Sequence, residues 1–217
     1  MKKSLIALAV AAALVPSLAM AEKGDIVVRL RATHISADES SKLGTTTSTF
    51  NDTSANLTVD TNTIPEIDFS YYVTKNIAAE LILATGTKHT VTANYGGASH
   101  DLGKVNLLPP TLLAQWHFMP DQTFDPYVGA GVSYVRAMDN NLNLGGTVPI
   151  TIDRNNWGVA LQAGMDYNLE NKWLLNVDVK KIWFDTTVKA DLGSGYTKID
   201  QLDIDPWVVS VGFGRKF

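Results

Sequence analysis

The chain contains no cysteine among its 217 residues. That excludes disulfides, thiolate zinc centres, iron–sulfur clusters and cysteine nucleophiles together. Charge is scarce as well: Asp, Glu, Lys and Arg make up 18%, against roughly 25% in an average soluble domain. There is no basic excess, with 18 Lys and Arg against 22 Asp and Glu and a formal net charge of −4. No positive field is therefore available to hold a nucleic-acid backbone. Beyond the N-terminal leader, no apolar run approaches the ~20 residues that a membrane-spanning helix needs. A chain that crosses a bilayer without such a helix must do so as a closed barrel.

The first residues read as an export signal. Lys2 and Lys3 form a positive start, and Leu5 to Leu18 supply an apolar run interrupted only by Pro16 and Ser17. Ala19-Met20-Ala21 then offers the small residues of a cleavage site before Glu22. The expected organisation is a signal peptide over 1–21 and one domain over 22–217.

Eight segments of the remaining chain alternate with period two, the strand signature. They run Ile26–Ile35, Ile64–Thr74, Ile77–Thr87, Leu107–Phe118, Phe124–Val135, Trp157–Asn168, Trp173–Asp185 and Asp205–Phe217. The last is the clearest: Trp207, Val209, Val211 and Phe213 share one face, and Ser210, Gly212 and Gly214 the other. No segment carries a sustained helical stripe, so the class is all-β. Short turns such as Lys75-Asn76 and Glu170-Asn171 alternate with long polar connections such as Ala37–Thr63 and Asn140–Asn156. That two-tempo pattern belongs to outer-membrane barrels.

A soluble sandwich or a lipocalin-type barrel would share the alternation but not the polarity of the faces. Trp116, Phe118, Trp207 and Phe213 lie on the uniformly apolar face, while Asp68, Glu80, Asp166 and Asp178 lie on the other. A single dry core cannot be lined by those carboxylates unless they are paired. An eight-stranded antiparallel transmembrane barrel, apolar outside and polar within, removes the conflict. Tyr72, Phe118, Phe124, Tyr127, Tyr167, Trp173 and Phe217 beside the short turns, and Trp157, Trp183 and Trp207 beside the long connections, read as two aromatic girdles.

Inward parity divides the lumen by height. Arg29, Asp68, Glu80, Asp166 and Asp178, with Gln115 and His117, fall on the short-turn half and read as an ion-paired plug centred on Arg29. Ile64, Ile82, Ala84, Leu107, Val135, Ala160, Ile182 and Val208, with Thr33 and Gly158, fall on the other half and read as a greasy pocket open to the outside. An eight-stranded barrel is wide enough for one small ligand at most. Pro109-Pro110 removes two ladder donors in succession, so it either starts the regular part of the fourth strand or leaves a gap in the wall.

No catalytic, metal or cofactor site is expected. The four histidines, His34, His89, His100 and His117, sit in no recognisable catalytic spacing. The acidic clusters Asp38-Glu39 and Asp200–Asp205 lack a metal-loop spacing, and Gly96-Gly97 precedes no helix that could hold a phosphate.

Leu107-Leu108-Pro109-Pro110-Thr111-Leu112-Leu113-Ala114-Gln115-Trp116 closely resembles the fourth strand of the outer membrane protein W family. Pro126-Tyr127-Val128-Gly129-Ala130-Gly131-Val132-Ser133-Tyr134 resembles the fifth. Asn156-Trp157-Gly158, Gly164-Met165-Asp166-Tyr167 and Asp205-Pro206-Trp207 follow in that family's order, and the chain ends on Phe217 like other outer-membrane barrels. The resemblance implies a hydrophobic channel for small apolar molecules, with hydrocarbon uptake as in the AlkL-like members one specialisation. It implies an outer-membrane location in a Gram-negative bacterium, with both termini in the periplasm. Lipid, lipopolysaccharide and small hydrophobic solutes are the expected partners, and the barrel-assembly machinery would read Phe217. Two alternatives stay open: a receptor or adhesin acting through its loops, and a lipid-modifying enzyme. The second is disfavoured because Glu22–Asp25 leads almost directly into the first strand, leaving no room for the amphipathic helix of the barrel palmitoyltransferases.

Overall fold

The computed structural model describes residues 22–46, 52–84 and 87–217; the expected signal peptide lies outside them. In chain order the elements are β1 (Ile26–Ser36), α1 (Leu43–Thr46), β2 (Asn56–Val59), β3 (Asn62–Tyr72), β4 (Ile77–Ala84), β5 (Thr87–Tyr95), β6 (Ala98–Leu108), β7 (Thr111–His117), β8 (Phe124–Asp139), β9 (Asn141–Leu144), β10 (Val148–Ile152), β11 (Asn155–Asn168), β12 (Trp173–Trp183), β13 (Asp185–Asp191), β14 (Tyr196–Asp203) and β15 (Trp207–Lys216). Strands β1, β3, β4, β7, β8, β11, β12 and β15 pair antiparallel in that order, and β15 returns to β1. The sheet closes on itself, so no barrel strand is left as a free edge.

The alternation read from the sequence is the alternation of the wall. On β15, Trp207, Val209, Val211 and Phe213 are about half exposed while Val208 and Ser210 are buried. Outward Leu112, Val128, Val132, Val159, Leu161, Leu175 and Val177 continue this apolar band around the barrel. Two residues assigned to the girdle point the other way. Tyr72 and Tyr127 are 2% and 1% exposed and enter the lumen; on β3 it is Tyr71, one position earlier, that faces out. Aromaticity at a strand end marked the interface, but parity decided the direction.

The long connections are strands for much of their length rather than polar loops. β5 and β6 extend the third and fourth barrel strands past the rim, and β2 adds to their edge. A second sheet, β14-β13-β10-β9, stands beside them. Between the two lies a dry cluster that includes Leu43, Leu57, Val91, Leu102, Val105, Leu142, Ile150, Val188, Ile199 and Leu202. Composition hid these strands because their outward positions are Thr, Asn, Asp and Lys; the inward positions alternate with them as apolar residues.

Candidate functional site

The lumen holds two structures stacked along the barrel axis. The half nearer the short turns is filled by a charged network to which all eight barrel strands contribute. Arg29 on β1 donates through Nε and Nη2 to both oxygens of Asp166 on β11, at 3.2 and 2.5 Å, and through Nη1 to Ser70 at 2.6 Å. Arg31, one inward position along, pairs with Asp68 at 2.9 Å, Glu80 at 3.1 Å and Glu66 at 3.2 Å. Lys180 on β12 joins Asp178 at 2.6 Å and Glu66 at 3.2 Å. Gln162 donates to Glu80 and accepts from Gln115, while Tyr127 donates to Asp178 and receives Asn176. On β7, His117 Nδ1 lies 2.8 Å from Asp125 of β8, and on β15 Ser210 bonds Thr33.

Large side chains fit here because glycine faces them. Gly164 is the cross-strand partner of Tyr127, and a Cβ there would meet the Tyr127 ring at 2.4 Å. Gly212 lies opposite Arg31, where a Cβ would come within 2.1 Å of the Leu30 carbonyl. Both glycines admit a bulky neighbour that any side chain would exclude.

All five expected plug residues lie in this network. Its centre differs from the expectation: Arg31 reaches four carboxylates, with Asp178 the most distant at 3.8 Å, and Arg29 chiefly one. Arg31, Glu66 and Lys180 were missed, although each shares inward parity with a residue that was assigned, so parity followed without exception would have found them. His117, Asp125 and Asp166 bring ligand atoms within 4.8 Å of one another. Asp166 is nevertheless held by Arg29 and Asn176, and Asp125 by His117 and the Met119 amide. No carboxylate there awaits an ion.

Above the network the lumen turns apolar. A cavity of about 100 Å³ is lined by Ile82, Ala84, Leu107, Val135, Ile182 and Val208, six of the eight expected residues. Ile64 and Ala160 are buried in the same wall without belonging to the cavity's lining. Glu66 and Lys180 form the floor. Val91, Val105, Leu142, Val188 and Leu202 line the cavity and also belong to the dry cluster between the strand extensions.

Beside this cavity one seam of the wall is incomplete among the described residues. The β4–β7 ladder runs from Ile77 opposite Trp116 to Ile82 opposite Thr111 and stops. Pairing resumes between β5 and β6 at Thr87 opposite Leu107. Within the break, Leu83 and Ala84 pair only towards β3, and Pro109 lies in the cavity wall. The N–H and C=O of one residue in an extended strand point to the same side. The Pro110 carbonyl accepts the Tyr134 amide of β8 at 2.9 Å, so Pro110 faces the intact seam. Pro109 therefore faces β4, where it has no N–H to give, and its carbonyl accepts instead from Thr111 Oγ1 at 3.2 Å. The two prolines are not equivalent.

The OmpW family model matches residues 22–217. Outer membrane protein W of Escherichia coli (strain K12) is 38% identical over 163 residues, covering 73% of this chain and 75% of that protein. Outer membrane protein W of Vibrio cholerae serotype O1 is 34% identical over the whole of both. The crystal structure of OprG from Pseudomonas aeruginosa superposes with a TM-score of 0.80 at 29% identity, covering 93% of this chain and 99% of that one. More distant relatives are outer membrane protein AlkL of Ectopseudomonas oleovorans, 29% identical over 75% of this chain and 70% of that protein, and the dibenzothiophene metabolism operon protein PahQ of Pseudomonas aeruginosa, 28% identical over 69% of each. Matched over its whole described length, the chain belongs to the OmpW family of outer-membrane β-barrel proteins.

Proposed function

We propose that this barrel is a passive, non-catalytic conduit that takes small apolar solutes into its upper lumen and releases them sideways into the bilayer. The termini and short turns would lie on the periplasmic side, with the strand extensions outside. One observation carries the reading: an apolar cavity stands on a charged floor and beside an unpaired seam. Dry apolar cavities of ~150 Å³ bind benzene-sized molecules, so about 100 Å³ suits a small solute or one segment of a longer one. Passage straight down would require the plug to part, and breaking one buried ion pair costs roughly 3–5 kcal/mol. An apolar solute offers those groups no hydrogen bond in return. Sideways exit instead keeps each CH₂ out of water, worth about 0.8 kcal/mol. PahQ, a relative named for a dibenzothiophene metabolism operon, supports a solute of apolar character.

The test is uptake of a small apolar compound by cells that make the protein, the Ala84→Phe variant, or neither. Faster uptake with the native barrel, abolished by the phenylalanine in the cavity, is the expected result. Uptake equal in all three would overturn the reading.

A further inference from the structure

The floor of the cavity carries more acid than base. Four buried carboxylates meet there: Glu66 and Asp68 from β3, Glu80 from β4 and Asp178 from β12. Only two cations, Arg31 from β1 and Lys180 from β12, are interleaved with them. The layer beneath does not supply the difference. There Arg29 is taken up by Asp166, although it also reaches Glu80 at 3.6 Å. His117 faces Asp125, and Lys216 lies over the Tyr72 ring.

Within this layer the residue that lines the cavity is also the one with an acceptor to spare. Glu66 is 5% exposed and belongs to the cavity's lining. Arg31, Lys180 and Ser210 all reach its Oε1, which leaves Oε2 without a partner among the described residues. Directly behind it, neither oxygen of Asp68 accepts a hydrogen bond of good geometry, although Arg31 is close. The positive charge of Lys180, the other floor residue, is already shared between Asp178 and Glu66. Buried charge without a counter-charge is costly, so a low-dielectric pocket of this kind favours a ligand that brings the missing positive charge.

We infer that the cavity is a binding site for amphiphiles with one protonated amine, whose ammonium sits on Glu66 Oε2 and whose hydrocarbon body packs on Ile82, Val135, Ile182 and Val208. An ammonium brings three donors and no acceptor, matching a floor that lacks donors. A carboxylate head of the same length would meet four acids and find both cations occupied. The inference deepens the conduit reading and rests on its cavity, but its test needs no transport.

The native full-length barrel in lipid nanodiscs is titrated with n-butylamine, n-butanol and butanoate at pH 7, with partition into empty nanodiscs subtracted. The amine is expected to bind at least tenfold more tightly than butanoate, with butanol between them. Glu66→Gln keeps the shape and the Oε1 hydrogen bonds, and should shrink the amine-to-butanoate ratio below threefold while leaving butanol affinity intact. Ala84→Phe should weaken all three alike. Equal binding of the three heads to the native protein, a preference for butanoate, or an amine preference that survives Glu66→Gln would overturn the inference while leaving the cavity in place. Failure of every compound to bind would overturn the cavity reading itself.

Discussion

The two halves of the lumen are built by the same strands at the same inward parity, yet they behave as different materials. On β3, Asp68 and Ser70 belong to the plug while Ile64 faces the upper half; on β12, Asp178 and Lys180 give way to Ile182 one inward position later. Apart from the break between β4 and β7, the backbone cylinder is the same at both heights. What differs is whether the side chains hold one another or leave room. The plug joins its members by charge-assisted hydrogen bonds down to 2.5 Å, whereas the upper half is held mainly by apolar contact, with a few neutral hydrogen bonds such as Thr111 to Ser133, around a cavity of about 100 Å³. The proposed conduit therefore uses the half that is less tightly bound.

The sharpest way to break this comparison is to take one member from the plug. Arg29→Met leaves Asp166 buried with Asn176 as its remaining partner, and should cost about 3–5 kcal/mol, read as a lower denaturant midpoint for unfolding from lipid vesicles. Arg29→Met combined with Asp166→Leu should recover most of that loss, because a matched apolar pair leaves no stranded charge. If the double variant is no better than the single, the plug is not held by pairing.

In the apolar half the effects are smaller and functional. Ala84→Phe overfills a packed wall and should cost about 1–3 kcal/mol while abolishing solute uptake, with unfolding and uptake measured on the same preparation. Least of all is expected from Asp68→Asn. Its carboxylate accepts no well-aligned hydrogen bond, and Arg31 keeps Glu80 and Glu66. The predicted change is under about 1 kcal/mol by the same denaturation measurement, so the plug should depend far more on Asp166 than on Asp68.

Much of this is legible in the sequence, for a physical reason. In a barrel each strand residue faces either lipid or lumen, so period-two parity converts directly into position, and Asp68, Glu80, Asp166 and Asp178 could be placed inside from the sequence alone. Parity also contained Arg31, Glu66 and Lys180, which share their register with assigned neighbours. Partner choice was not legible. Whether Asp68 meets Arg29 or Arg31 depends on the stagger between strands, which alternation within one strand does not encode. The strand extensions were hidden for a different reason: outside the lipid band their outer faces become polar, so β5, β13 and β14 read as loops by composition. The difference between Pro109 and Pro110 emerged only from the direction in which the Pro110 carbonyl points.

That difference supplies the most direct test of lateral release. Pro109→Val restores an N–H facing β4 at the open seam, and Pro110→Val restores one facing β8, where the Pro110 carbonyl already accepts the Tyr134 amide. With equal amounts of folded barrel in the membrane, apolar solute uptake should fall at least tenfold in Pro109→Val and stay within twofold of native in Pro110→Val. Native-level uptake by Pro109→Val, or an equal loss in both variants, would contradict exit through that seam.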